Sequence, residues 1–154
     1  MAAKGVSRGR IRQAQVRLVR HSETEEAEQR IGRTVTQIRI LTNRHLARSI
    51  RTMAGDLRKY MTGWKAYFGY AEVRSTPREL DAWIRRRLRC YLWKQWGSSG
   101  YRQLRRLGVS RDLAWNTSKS AHGAWRLSMS PALGIALTSS YFADLGVPSL
   151  CATE

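Results

Sequence analysis

The chain has 154 residues, 42% of them apolar and six of them tryptophan, and carries a net charge of +17. That length suits one domain with an appended segment, and self-repulsion of that size is tolerable when a polyanion supplies the counter-charge. With two cysteines, no apolar run near the roughly 20 residues of a membrane span and no hydrophobic signal core, the composition argues against a disulfide scaffold, a membrane-spanning protein and a secreted precursor. A reducing cytoplasm is the expected compartment. Arginine supplies 23 of the 28 cations. Its planar fork reaches two phosphate oxygens at once and stacks on bases, so nucleic acid ranks above an acidic protein or an anionic membrane as partner.

Residues 1–22 are basic and free of acids, which predicts a flexible arm. Residues 23–98 read as a helical bundle with a first helix at about 24–42. Glu23, Glu25, Glu26 and Glu28 sit at its positive dipole end, and Ala27, Ile31, Val35, Ile38 and Leu41 make an apolar stripe. A second helix is expected at about 49–68, capped by Ser49. Ile50, Met53, Leu57, Met61, Trp64 and Phe68 line one side, and Arg51, Arg58, Thr62 and Lys65 the other. Ser75-Thr76-Pro77 followed by Glu79 predicts the start of a third helix over 77–96. Its buried stripe would be Leu80, Trp83, Ile84, Leu88, Tyr91 and Leu92. Arg85, Arg86, Arg89 and Lys94 fall on the far side, with Trp93 one turn beyond Arg89.

The run Gly97-Ser98-Ser99-Gly100 is expected to stop that helix. Short helices follow over 99–150. The first carries Arg102, Arg105 and Arg106, with Gly108 as a C-terminal cap. The next is capped by Ser110, and a further start is set by Ser130-Pro131. Tyr141, Phe142 and Leu145 would tie the last helix to the body, leaving 151–154 as a loose tail. No alternation typical of strands is visible, so the class is all-α: a three-helix bundle followed by several short helices.

Catalytic and metal-binding signals are weak. Asp56, Asp81, Asp112 and Asp144 stand apart, and His21, His45 and His122 are scattered. Neither a paired-carboxylate metal site nor a nucleophile with its base is suggested, so no catalytic residue, metal or cofactor is expected. The candidate contacts to nucleic acid are Arg85, Arg86 and Arg89, then Lys94, Arg105, Arg106, Arg58 and Lys65. Trp93 could stack on an unpaired base or pack on the short helices. Trp64, Trp83, Trp115 and Trp125 are expected to anchor the core. Cys90, within a helical pattern, reads as a buried free thiol.

The strings GWKAYF, RELDAWIRRRLRCYLWKQW, LRRLGVSRDLAW and GAWRLSMSPAL with YFADLG occur in this order between residues 33 and 150. Together they resemble the maturase-specific region, also called domain X or the thumb, of bacterial group II intron-encoded proteins. The resemblance implies a helical module that clamps intron RNA, assists its folding and splicing, and serves as the thumb of a reverse transcriptase in the full-length protein. It implies group II intron RNA as partner, and a reverse transcriptase domain supplied by an upstream sequence. An aromatic-x-Asp-Asp string of a polymerase palm is missing, so the chain is expected to be a truncated or split, non-enzymatic piece. The competing expectation is an independent basic helical protein that binds DNA or serves as a ribosome-like assembly factor.

Overall fold

In a computed structural model, residues 25–26, 28–43, 48–68 and 75–151 are described. Among them all regular structure is helical and there is no strand. Helix α1 covers 28–41. It is followed by α2 (Ile50–Phe68), α3 (Ser75–Trp96), a 3-10 turn (Gly97–Ser99), α4 (Gly100–Arg106), α5 (Arg111–Lys119), α6 (Ala124–Leu127), α7 (Pro131–Ala136) and α8 (Ser139–Asp144). The expected arm at 1–22 and the end of the tail lie outside the described residues. The chain divides into two compact units, Met1–Gln37 and Ile38–Glu154. Within the first, Thr34 and Thr36 donate to the carbonyls of Arg30 and Gly32 one turn back, at 3.0 and 2.9 Å. Arg30 pairs with Glu26 at 3.3 Å on the exposed face.

The core of the second unit is mostly aliphatic, with Tyr91 and Phe142 among its buried side chains. Met53, Ala54, Leu57 and Met61 of α2 are buried, as are Leu80, Ile84, Leu88, Tyr91 and Leu92 of α3. These positions recur every three or four residues, so one stripe of each helix is removed from water. Ser49 caps α2 as its position predicts, its Oγ accepting from the Thr52 amide at 3.1 Å. The carbonyl of Arg48, just before that cap, accepts from the Tyr91 hydroxyl and from Gln95 Nε2, the latter at 2.8 Å. Arg87 Nε donates to Thr42 Oγ1 at 2.7 Å. Helix α3 therefore holds Thr42 and the entrance to α2 by side-chain hydrogen bonds.

Helix α3 starts at Ser75, two residues earlier than its cap residues suggest. Pro77 then lies in the first turn, where a missing amide proton costs nothing. At its other end Gly97 adopts φ +48°, a conformation that glycine enters without steric cost. The chain passes through a single 3-10 turn directly into α4. The expected stop at 97–100 is thus a tight corner between two helices. The Trp93 ring lies against Gly100, where a Cβ would come within 2.9 Å of it.

Helix α4 ends as its glycine predicts. Gly108 has φ +86°, and the Val109 amide donates to the Leu104 carbonyl at 3.0 Å while Leu104 and Val109 are both fully buried. This is a Schellman ending with its apolar contact. Gly146, at φ +92°, ends α8 the same way, with the Val147 amide on the Phe142 carbonyl at 2.9 Å. Ser130 caps α7 with Pro131 in the first turn, as expected, whereas Ser110 occupies the cap position of α5 without a side-chain bond. The all-α class is what the structure has. A bundle made of the three long helices alone is not shown; α3 packs on α6, and α4 on α5.

The buried Asp81, in the second turn of α3, collects the last described residues. Both of its oxygens accept from the Leu150 amide at 3.0 Å, and the Ser149 hydroxyl donates to Oδ2. Nearby, Met61, Ile84, Phe142 and Pro148 line a cleft of about 50 Å³. That is room for one or two waters and not for a ligand.

Candidate nucleic-acid interface

The arginines of α3 are at the spacing that puts them on one side of the helix, but that side is not open. Arg85, Arg86 and Arg89 are all half-buried. Later helices lie over the side that the spacing leaves open to solvent. Arg86 stacks on Trp125 of α6, its guanidinium carbon 4.0 Å from the ring centroid, and its Nη2 donates to the Trp125 carbonyl at 3.3 Å. Its Nε is buried with no acceptor among the described residues. Arg89 Nε donates to the carbonyl of Leu137, the residue that ends α7, at 3.0 Å. Burial, and then the neighbouring Arg85, lower the Arg89 pKa below its usual value, yet a guanidinium stays charged near neutrality. Arg85 reaches toward Asp81 at 4.0 Å. These long side chains close helix ends and cover aromatic surface while keeping part of each cation at the boundary with water.

The remaining candidates are more open. Lys94 and Arg106 are exposed and make no ion pair among the described residues. Arg105 is exposed as well, with Nη1 donating to the Val109 carbonyl at 2.7 Å, so its guanidinium is held beside the end of α4. Arg58 is exposed on α2, with its Cδ and Nη1 4.0 Å from where a Cβ on Gly146 would stand. Lys65, at the end of α2, is half-buried. The structure therefore brings Arg85, Arg86 and Arg89 together under the C-terminal helices. Arg105 and Arg106 stand beyond the corner, and Arg58 and Lys65 lie on a different helix.

Trp93 is half-buried, with one region of its ring on Gly100 and its neighbour Trp96 edge-on at 6.3 Å. That contact is the packing alternative for this residue. The expected tryptophan core is corrected. Trp64 and Trp83 are half-buried, while Trp115 and Trp125 are 52% and 40% exposed. Mostly aliphatic side chains, with Tyr91 and Phe142, fill the interior, and Trp83, Trp115 and Trp125 lie at its edge beneath cations. Arg87 and Arg39 lie 5.1 and 5.9 Å from the Trp83 ring, and Lys119 lies 4.8 Å from the Trp115 ring. Such pairs gain from the ring quadrupole while leaving part of the ring free.

Helix α5 adds residues that the sequence reading passed over. Arg111, Trp115 and Lys119 are exposed and recur every fourth residue, while Ala114 and Thr117 are buried on the opposite side. The i, i+4, i+8 spacing was visible in the sequence. Assigning Trp115 to the core hid it. Among the described residues no three His, Cys, Asp or Glu side chains cluster as metal ligands, and no helix is long and apolar enough to cross a membrane. Cys90 is buried and free, as expected. Residues 29–108 match the family model described as group II intron, maturase-specific domain. No curated protein sequence matches the chain.

Proposed function

The chain belongs to the family of group II intron maturase-specific domains, and from that premise we propose that it works by gripping intron RNA. Family membership implies a maturase-related role in group II intron splicing. The finer reading is that the helices bind the folded intron and favour its active shape, so that cleavage chemistry remains with the RNA. Joined to a reverse transcriptase domain, the same module would act as the thumb on a template–primer duplex.

The observation that carries this reading is the excess of cations around the α3–α4 corner. Lys94, Arg102, Arg105 and Arg106 are exposed there within thirteen residues of chain that contain no acid. Phosphate neutralisation by such groups gives affinity and register without base identity. Recognition of one intron would then rest on the shape of the RNA, as expected for structured RNA.

The test is a binding series with group II intron RNA, an unrelated structured RNA and duplex DNA at several salt concentrations. Steep salt dependence is expected for all three, with a surplus affinity for intron RNA that persists at higher salt. Replacing Lys94, Arg105 and Arg106 by glutamine should weaken binding and reduce the salt slope by roughly 1 per lost phosphate contact, with helicity unchanged. Equal affinity for the three ligands would reduce the role to general polyanion binding, and unaltered binding by the triple variant would move the interface elsewhere.

A further inference from the structure

The ridge on α5 lies beyond the family match, which ends at residue 108. Arg111, Trp115 and Lys119 occur one turn apart on one face, successive members about 6 Å apart along the axis at about 1.5 Å per residue. The opposite face is fixed to the body through Ala114 and Thr117, both buried. The Trp115 ring makes a T-shaped contact with Tyr101 of α4, with centroids 5.9 Å apart and planes at 88°. It is capped by the Lys119 ammonium at 4.8 Å. Half of its surface is open, at 52%. Among the described residues neither Arg111 nor Lys119 makes an ion pair, although the exposed Asp112 is next to Arg111 in sequence.

We infer that this ridge takes an unpaired segment of RNA, with one base stacked on Trp115 and the flanking phosphates on Arg111 and Lys119. The inference rests on the RNA-binding reading above and adds to it a second contact of a different kind. A ring of this sort has nothing to gain from a base pair inside a helix, whose faces are already covered by its neighbours. A splayed base offers a free π-face, and stacking on it tolerates any sequence. The Tyr101 edge contact sets the ring orientation before binding, so little freedom is lost when a base arrives. An apolar protein surface fits less well. Covering Trp115 with it would strand the two cations beside the indole, at the cost that unpaired buried charges carry. Phosphates neutralise both.

The experiment uses the full chain, with a short oligouridine as the single-stranded probe and an RNA hairpin stem as the duplex probe. Group II intron RNA serves as the reference ligand. Trp115→Ala should lower affinity for oligouridine on the order of tenfold, the size typical of one stacked base, and change stem affinity less than about twofold. Trp115→Phe should recover most of the loss. Arg111→Gln and Lys119→Gln should each reduce the salt slope for oligouridine by about 1. Circular dichroism monitors folding. If the alanine variant melts early, the phenylalanine and glutamine variants carry the test, because they keep the ring or its setting.

Equal oligouridine binding by Trp115→Ala and the original chain would overturn the inference while intron RNA binding stands. Equal losses on oligouridine and stem would also overturn it, since stacking would then contribute nothing. A flat RNA series combined with lost association with a reverse transcriptase domain would make the ridge a protein interface. Failure of the unaltered chain to bind any RNA would remove the parent reading as well.

Discussion

Trp125 and Trp115 both lie beneath a cation, yet the two pairs differ in reach. Arg86 and Trp125 stand 39 residues apart, with the guanidinium 4.0 Å from the ring and a hydrogen bond to the Trp125 carbonyl. The pair joins α3 to α6. Lys119 and Trp115 are one turn apart on one helix, at 4.8 Å, so their contact lies within α5, although the ring also meets Tyr101 of α4. The first pair uses a cation to fasten a long-range contact. The second leaves a cation and an indole on a fixed support, available to a ligand. An aromatic beside a positive charge is therefore no marker of a binding site by itself; sequence separation decides what the pair is for.

The largest expected effect comes from unseating the first pair. Leu127 of α6 is buried at 7% exposure, and Leu127→Ala should destabilise the chain by about 2–5 kcal/mol, read as a lower midpoint in urea unfolding. Arg86 should then lose its seat on Trp125, while the Trp115 ridge keeps its RNA response in whatever fraction stays folded. A shift of both sites together would break the comparison.

Next comes the other tie on α3. Asp81→Asn weakens the grip on Ser149 and Leu150 and should cost about 1–3 kcal/mol. Cys151 reports the same event. Burial and then the Asp81 carboxylate raise its thiol pKa, so at mildly alkaline pH a smaller share is thiolate than in a free peptide. Removing the carboxylate and loosening the segment both lower that pKa, and alkylation by iodoacetamide should speed up. An unchanged rate would mean that the segment stays held without Asp81. Buried Cys90 serves as the unreactive internal control.

A smaller effect sharpens the contrast directly. A double-mutant cycle of Arg86→Gln and Trp125→Ala should give a coupling of about 0.5–2 kcal/mol in unfolding free energy. The matching cycle of Lys119→Gln and Trp115→Ala should give less than about 0.5 kcal/mol, as neighbouring exposed pairs on one helix do. Equal couplings would show that both pairs serve the fold.

Local signals were the ones legible in the sequence. The Ser49 and Ser130-Pro131 caps, the Gly108 ending and the aliphatic positions of the α2 and α3 stripes each depend on residues within one or two turns, and the chain follows them. Trp64 and Trp83 on those stripes are only half-buried, and Phe68 lies outside the described side chains. What covers the arginines of α3 was not legible. Arg86 meets Trp125, and Arg89 meets the Leu137 carbonyl 48 residues on. Helical spacing says which residues share a side; it does not say which later helix closes over that side. The tryptophans failed for a related reason. An indole suits a core or an edge equally well, and only the filled aliphatic interior decided for the edge. The i, i+4, i+8 cations around Trp115 were readable all along, once that ring is no longer assigned inward.

The corner between α3 and α4 also sets a rule for chain length. Gly97 turns the backbone, and Gly100 seats against the Trp93 ring with no room for a methyl group. One residue inserted within α4 just after that corner would turn the remainder of the helix by about 100° at 3.6 residues per turn. Leu104 would swing out of the interior, and the guanidinium groups of Arg105 and Arg106 would point a new way. The four residues of the corner thus fix where α4 begins, and with it which of its side chains face inward.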